Sequence, residues 1–417
     1  MIRILLMELR RSPLRWWLPV LIALDLAVLF GRSRWWIGVW SEASVAAQIP
    51  SFYVGPLLAT AAAWSAGRVH RNRMGDQIAA GSKPRWNSEL PQLAATVTYG
   101  LVAYMVGVVA AAAVSVEEAG PGFLWLGYVF LGVSVITLCA SAGHLVGSWF
   151  PSGVAVPVIV GLACFVVLAA AGGPGNLGLF MLSGAPYVGI VPTALVARLA
   201  LAGVVAVLAV LAPRPTGRVF GGPGVVFAGG SVALALLSVL ALGAAGAVRE
   251  PRPAPAAPLC TNTTPQICVW PEQRKYLPQL EEMAIRAAAL PADLIKSPGS
   301  FHEQGLRGGG ELDGDFSISE GSMWEAAIGI AMAIGNASEP KPCQGNDAAG
   351  ERRYRAMFEV DAWITARIAG GGQPADRHGG PPGVDQAEIA RLITTPEAYQ
   401  ENWVRQRMET IGGAHCG

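Results

Sequence analysis

The sequence is poor in charge and lacks the short motifs that bind nucleotides, hydrolyse bonds or hold metal ions. Charged residues make up 14% of the 417 residues and hydrophobic residues 52%, unlike an ordinary soluble protein of this length. The motifs GxxxxGK[ST], HExxH, GxSxG and CxxC do not occur in it. Asp313 and Asp315 resemble the start of a calcium loop but lack its later ligands. We therefore predict no catalytic residue, no metal site and no cofactor in this chain.

The charges that are present divide near residue 249. Residues 1–248 hold 14 Lys/Arg and 7 Asp/Glu, a formal charge of +7, whereas residues 249–417 hold 16 and 22, a formal charge of −6. This asymmetry predicts that the two parts face different compartments. Neither part is a basic soluble module, so we expect no nucleic-acid partner.

Apolar runs of bilayer length fill the first part. With about 20 apolar residues for each span, they predict an all-α polytopic membrane domain of about six or seven transmembrane helices. Residues 1–14 form an amphipathic segment that we expect to lie in the membrane interface. The predicted transmembrane domain covers residues 15–248. Its spans are expected at about 15–31, 45–67, 92–114, 123–147, 152–171, 188–212 and 224–248.

The distribution of basic loops predicts the orientation of the chain in a bacterial cell membrane. Placing the N-terminus in the cytoplasm puts the basic loops 68–91 and 213–222 there and the acidic pair Glu117–Glu118 outside. Arg32 and Arg34 depart from this pattern. Seven spans leave the C-terminal part outside the cell, whereas the loss of one span would place it in the cytoplasm.

The C-terminal part is expected to be a mostly helical, disulfide-stapled extracytoplasmic domain, residues 259–417, after a Pro-rich linker at 249–258. Four cysteines in an oxidising compartment favour two disulfides. We expect Cys260–Cys268 with Cys343–Cys416, because the first pair is close in sequence. Two other pairings are possible, and unpaired or metal-binding thiols are the alternative.

Three ionisable residues lie inside predicted spans: Asp25, His144 and Arg198. Such groups are costly in lipid and usually face the interior of a helix bundle. Asp25 and Arg198 lie at similar depths, roughly 10 Å below the outer surface at the rise of an α-helix, so we hypothesise that they pair. The alternative is that each snorkels or faces a watery cavity. We interpret His144 as a helix-packing residue rather than a proton relay.

Three features of the first 212 residues resemble the permease of an ABC-2 type transporter. The first is the amphipathic elbow helix Ile2–Arg11 before the first span. The second is the basic loop between the second and third spans, Arg68 to Arg85. The third is the Gly/Pro-rich external segment Gly172–Pro192 between the fifth and sixth spans. The predicted seventh span and the large C-terminal domain depart from the family layout.

The resemblance implies a mechanism and partners. Two permease copies or homologues in the lipid membrane would pair with two cytoplasmic ABC ATPase subunits, which bind the ATP and Mg. A short coupling helix in the basic loop would sit on the ATPase and tilt the spans when the ATPase closes. The residues it assigns to this coupling are Arg73, Met74, Gly75, Asp76, Gln77 and Ile78. The expected cargo is an amphiphilic or hydrophobic substrate that is exported.

Two other functions fit the same layout. One is a non-transporting receptor or scaffold whose exported domain binds a ligand or partner. The other is a membrane-tethered enzyme, which would show hydrolytic activity in the C-terminal domain.

Overall fold

The computed structural model describes residues 2–72, 86–150, 153–173, 175, 177–211, 240, 242–307, 314–338, 348–371 and 383–412. The chain divides into two compact units. The first, called the membrane unit below, comprises Met1–Gly184 and Val188–Glu250. The second unit comprises Ala185–Tyr187 and Pro251–Gly417.

Helices dominate the membrane unit, because its apolar runs can satisfy their backbone polar groups internally only as helices in a lipid environment. They are α1 (Ile2–Arg11), α2 (Leu14–Gly31), α3 (Trp40–Gln48), α4 (Ser51–Ala66), α5 (Arg68–Arg71), α6 (Trp86–Ser115), α7 (Leu126–Trp149), α8 (Ala155–Ala171) and α9 (Pro192–Leu211). Amphipathic α1 buries none of its residues.

Five segments of the described chain are long and apolar enough to cross a membrane, which makes this a helical polytopic membrane protein. They are Leu14–Gly31, Trp40–Arg71, Trp86–Ser115, Leu126–Trp149 and Pro192–Leu211. The predicted fifth span is realised as a shorter apolar helix, α8. The second segment contains α3, α4 and α5 in succession, and it starts earlier than residue 45 because Trp40–Gln48 is already helical and buried.

Two predicted spans differ from the structure at their ends. The sixth was expected from residue 188, but Val188–Ile190 forms a short strand, β1, which pairs with β2 (Arg249–Pro251) before α9 begins. Most of the seventh, 224–248, lies outside the described residues. Its last residue, Val248, lies in a bend rather than a helix, and its carbonyl accepts a hydrogen bond from the Val191 N–H at 2.9 Å.

The closest helix pair in the membrane unit is α4 against α7. Gly143 and Gly147, one turn apart on α7, lie directly against the backbone of Ala59 and Ala63 on α4. A Cβ atom at Gly143 would lie 2.6 Å from the Ala59 Cα, and one at Gly147 would lie 2.7 Å from the Ala63 carbonyl carbon. This is the small-xxx-small arrangement that lets membrane helices approach closely. The sequence analysis did not identify it.

A three-stranded sheet, which the sequence analysis did not predict, lies in the second unit. Its strands are β3 (Leu259–Cys260), β4 (Gln266–Val269) and β5 (Ser300–His302), in the order β3-β4-β5. The first pair is antiparallel and the second parallel. Cys260 lies opposite Cys268 in the register, and the two form a disulfide. That predicted pairing is confirmed, whereas Cys343 and Cys416 lie outside the described residues.

The described part of the second unit also has five α-helices, as the apolar periodicity of the C-terminal part indicates, and the first of them packs against β4. They are α10 (Leu277–Ala288), α11 (Met323–Ser338), α12 (Ala348–Ala369), α13 (Gln386–Leu392) and α14 (Glu397–Gly412). Helix α12 lies among the others, and its buried Trp363 donates from Nε1 to Gln400 Oε1 on α14 at 3.0 Å. Asp385 caps α13 by accepting from the N–H groups of Ala387 and Glu388.

The second unit takes residues from two places in the sequence. Besides the C-terminal part it includes Ala185–Tyr187, which precedes β1. The Arg252 N–H donates to the Tyr187 carbonyl at 2.8 Å, and Arg252 Nη1 donates to the Pro186 carbonyl at 2.6 Å. The predicted linker 249–258 is therefore not a simple spacer, because it begins as strand β2 and Arg252 is fixed by these carbonyl groups.

Candidate functional site

Five side chains of the Asp, Glu, His and Arg types are buried in the described part of the membrane unit, and they form the candidate site. They are Asp25, Glu42, Glu89, His144 and Arg198. Three of them were predicted from the sequence. Glu42 and Glu89 were missed, because the second and third spans were expected to begin at residues 45 and 92, just after each of them.

Glu89 and His144 form a buried pair between two spans. Glu89 lies in the first turn of α6 and His144 in the last third of α7, and the distance from His144 Nε2 to Glu89 Oε2 is 3.0 Å. Their side chains are 5% and 0% exposed. One turn further along α6, Gln92 Nε2 donates to Ser65 Oγ on α4 at 2.7 Å. His144 thus has a specific polar partner on a neighbouring helix.

Arg198 does not pair with Asp25, so the predicted ion pair is wrong. Arg198 Nη1 donates to the Ala194 carbonyl of its own helix at 2.8 Å, and Nε donates to the Leu177 carbonyl at 3.2 Å. The latter carbonyl belongs to the Gly/Pro-rich segment before β1. Helix α9 packs mainly on α7, whereas α2 packs mainly on α6. Similar depth in the membrane therefore did not bring the two side chains to the same side of the bundle.

Asp25 lies in the middle of α2 with its carboxyl group fully buried. Neither carboxyl oxygen has a hydrogen-bond partner among the described residues. The group fills the space left by the missing side chain of Gly107 on α6, where a Cβ atom would collide with Oδ2. Tyr104, one turn earlier on α6, directs its hydroxyl instead to the Val129 carbonyl, at 3.1 Å.

Two side chains of α3 hold the Gly/Pro-rich segment. Glu42 accepts hydrogen bonds from the Gly184 N–H at 2.7 Å and from Ser183 Oγ at 3.2 Å. Gln48 accepts from the Met181 N–H at 2.9 Å. Because these acceptors and Arg198 satisfy buried backbone groups of the segment, an irregular stretch of chain is compatible with an apolar unit.

Helix α1 is tied to both helices that flank the basic loop. Arg68 Nη2, at the start of α5, lies 2.9 Å from Glu8 Oε1 and 3.1 Å from Glu8 Oε2. The Tyr99 hydroxyl of α6 donates to the Leu9 carbonyl at 2.7 Å. The coupling residues implied by the resemblance, 73–78, lie outside the described residues.

In the described part of the second unit one carboxyl group is buried, that of Glu303. Glu303 follows β5, and its carboxyl group accepts hydrogen bonds from the Trp270 N–H at 2.9 Å and from Gln273 Nε2 at 3.5 Å. Burial, with a smaller effect of the neighbouring Glu272 charge, raises the pKa of Glu303 to about 8 in spite of the two hydrogen bonds, which lower it. Among the described residues no group of three or more His, Cys, Asp or Glu side chains is placed to hold a metal ion.

We expect the second unit to lose stability as pH rises towards 8. The pKa of Glu303 is higher in the folded chain than its ordinary value of 4.5, so the folded state binds the proton more tightly. The contribution of Glu303 to the free energy of unfolding is complete below pH 4.5 and is lost as pH rises through about 8. For one proton, this free energy falls by at most about 1.4 kcal/mol per pH unit. Hydrogen exchange of β4 in the full chain, corrected for intrinsic rates, measures this.

The matched variant is Glu303→Gln, which keeps the shape of the side chain and cannot ionise. It should flatten the pH dependence of β4 protection between pH 5 and 8. An unchanged slope in this variant would assign the pH dependence to another group.

Comparison with known proteins adds no relative to this description. No protein-family model, no curated protein and no solved structure matches the chain.

Proposed function

We propose that this chain is the membrane permease subunit of an ABC-2 type transporter that exports an amphiphilic or hydrophobic substrate. A separate cytoplasmic ATPase would bind ATP and Mg and supply the energy. A second copy or a homologue would complete the transmembrane pathway. The N-terminus and the basic loop 68–85 would then face the cytoplasm, and the second unit would lie outside the cell.

The contact of α1 with both helices that flank the basic loop carries the proposal. The loop is where the partner ATPase would bind. Because Glu8 holds Arg68 and the Leu9 carbonyl holds Tyr99, a displacement of the loop is passed to the interfacial helix as well as to α4 and α6. An exposed ion pair alone contributes little free energy, but here it is joined by a hydrogen bond from a second helix. Such a linkage suits the rigid-body tilting of spans that transport requires.

Three further observations support the arrangement. Helix α2 separates α1 from α3, so the polar contacts of Glu42 with Gly184 lie towards the opposite end of the bundle from the Glu8–Arg68 pair. The hydrogen bonds that hold the Gly/Pro-rich segment at that end are consistent with a segment that covers the external ends of the spans. The Cys260–Cys268 disulfide supports an exported second unit, since disulfides persist in oxidising compartments.

Purification of the tagged full-length chain from its native membrane in mild detergent tests the proposal. We expect an ABC ATPase to co-purify in about equal amount and to be identified by mass spectrometry. Asp76→Arg, in the coupling loop, should reduce the recovered ATPase at least about tenfold, because it reverses the charge of a side chain that would face the ATPase and so opposes the charge complementarity of that interface.

The control is Glu117→Arg, which makes the same kind of change in an exposed loop that is expected on the other side of the membrane. It should leave ATPase recovery unchanged at equal yield of folded chain. A clean preparation without any ATPase would contradict the transporter proposal and favour a receptor or scaffold.

A further inference from the structure

The carboxyl group of Asp25 is a buried polar group to which the proposed transport mechanism gives no role. It is 0% exposed, and both of its oxygens lack a hydrogen-bond partner among the described residues. The other buried carboxylates of the membrane unit differ in this respect. Glu42 accepts from Gly184 and Ser183, and Glu89 contacts His144. The environment of Asp25 alone among the three offers nothing that stabilises a negative charge.

The position of this carboxyl group is specific rather than incidental. Asp25 Oδ2 occupies the space beside the Gly107 Cα, where any larger residue would collide with it. Leu21 and Leu29, one turn to either side on α2, are buried on the same face. The carboxyl group is therefore enclosed between two packed spans, with no route to the lipid head groups by side-chain extension.

The surrounding groups decide which ligand such a carboxyl group can hold. Among the described titratable residues, Tyr104 on α6 interacts electrostatically with it, and its hydroxyl proton is directed to Val129. No described charged side chain of α1, α4 or α6, the helices that pack on α2, forms an ion pair with it. A metal cation such as Ca²⁺ requires six or more oxygen ligands, which these neighbours do not supply. A proton requires only the carboxyl group.

We propose that Asp25 is a proton-binding site of the membrane unit, occupied while α2 is packed against Gly107 of α6. A buried, unpaired charge is strongly unfavourable in an apolar environment, so the group is neutral in this packing. Separation of α2 from α6 would admit water to the carboxyl group and allow it to release the proton. Movement of these two spans is therefore linked to proton binding, independently of whether an ATPase drives it.

A carbodiimide soluble in lipid, N,N′-dicyclohexylcarbodiimide, tests this in the full-length chain in mild detergent at pH 7. The reagent takes the acid proton on its nitrogen while the carboxyl oxygen bonds to its central carbon, and rearrangement leaves a stable N-acylurea. Peptide mass spectrometry then locates the adduct. We expect labelling of Asp25 at least about tenfold above that of exposed Glu117, because an ordinary carboxyl group is almost fully ionised at this pH.

Three variants make the result decisive. Asp25→Asn should abolish the adduct while retaining the thermal stability of the native chain, since it mimics the neutral group. Gly107→Ala should reduce labelling at Asp25 at least about tenfold by displacing the carboxyl group. Gly203→Ala, the same change on α9 at a position where an added Cβ atom would meet no described atom within 4 Å, should not.

Two outcomes would overturn the proposal. The first is a folded chain in which Asp25 is not labelled above Glu117. The second is labelling that sodium chloride suppresses relative to choline chloride, which would show a metal-cation site instead.

Discussion

Gly143→Val and Gly147→Val are expected to prevent normal assembly of the membrane unit. Each side chain would enter the backbone of α4, where the nearest atoms belong to Ala59 and Ala63 and cannot rotate away. Because the two helices would have to move apart, each variant should lower the free energy of unfolding of the membrane unit by about 3 kcal/mol or more. Thermal unfolding in mild detergent, followed by size-exclusion chromatography, measures the loss directly. We expect little monodisperse protein from the double variant.

The matched control is Gly203→Val. Gly203 also lies inside an apolar helix, but an added Cβ atom meets nothing within 4 Å. This variant should be as stable as the native chain or slightly more so, since removing a helical glycine lowers the conformational entropy that folding loses. Equal destabilisation at residues 143 and 203 would mean that the close approach of α4 and α7 is not required.

Removal of one member of the buried Glu89–His144 pair should destabilise the membrane unit by about 1–3 kcal/mol, because the remaining polar group loses a hydrogen-bond partner away from water. His144→Ala removes the group 3.0 Å from the Glu89 carboxyl oxygen and leaves a cavity beside it. Glu89→Gln should cost less, because the amide can still hydrogen-bond to the imidazole. The thermal midpoint of the membrane unit in detergent is the measurement.

The double variant Glu89→Leu/His144→Leu provides the control. It replaces both polar groups by apolar ones, so it should recover most of the stability lost in either single leucine variant. Strictly additive losses would show that the two residues do not interact across α6 and α7.

Apolar run length was enough to predict where most of the spans lie, but it was not enough to locate their ends. Hydrophobicity begins at residues 45 and 92, whereas the described helices begin at Trp40 and Trp86. Glu42 and Glu89 in their first turns are buried by packing against other parts of the membrane unit, and this information is not in the local sequence. Glu42 and Glu89 were missed for this reason.

Depth along a helix proved a poor guide to contact between helices. Asp25 and Arg198 were expected to meet because they lie at similar heights, yet the direction in which each side chain points depends on which helices pack together. By contrast, the Cys260–Cys268 pairing was predictable, because a short sequence separation limits the partners within reach. The spacing of Gly143 and Gly147 was visible in the sequence, although their partners on α4 were not.

The strands of the second unit could not be predicted from the sequence either. They are two to four residues long, too short for a pattern of alternating polarity to be distinguished from a loop. The pairing of β4 with β5 also depends on contacts between residues more than 30 positions apart, as in the register of Ile267 with Phe301.

The inclusion of Ala185–Tyr187 in the second unit bears on how such a chain could have been assembled in evolution. A module acquired by gene fusion at a single point is continuous in sequence and needs nothing upstream. This unit instead uses carbonyl groups of Pro186 and Tyr187 to hold Arg252, and these residues precede α9. Replacement of residues 251–417 by another C-terminal domain would remove Arg252, and the carbonyl groups of Pro186 and Tyr187 would lose the donor that they bind. The two parts are therefore expected to vary together, with changes near residue 186 accompanied by changes near residue 252.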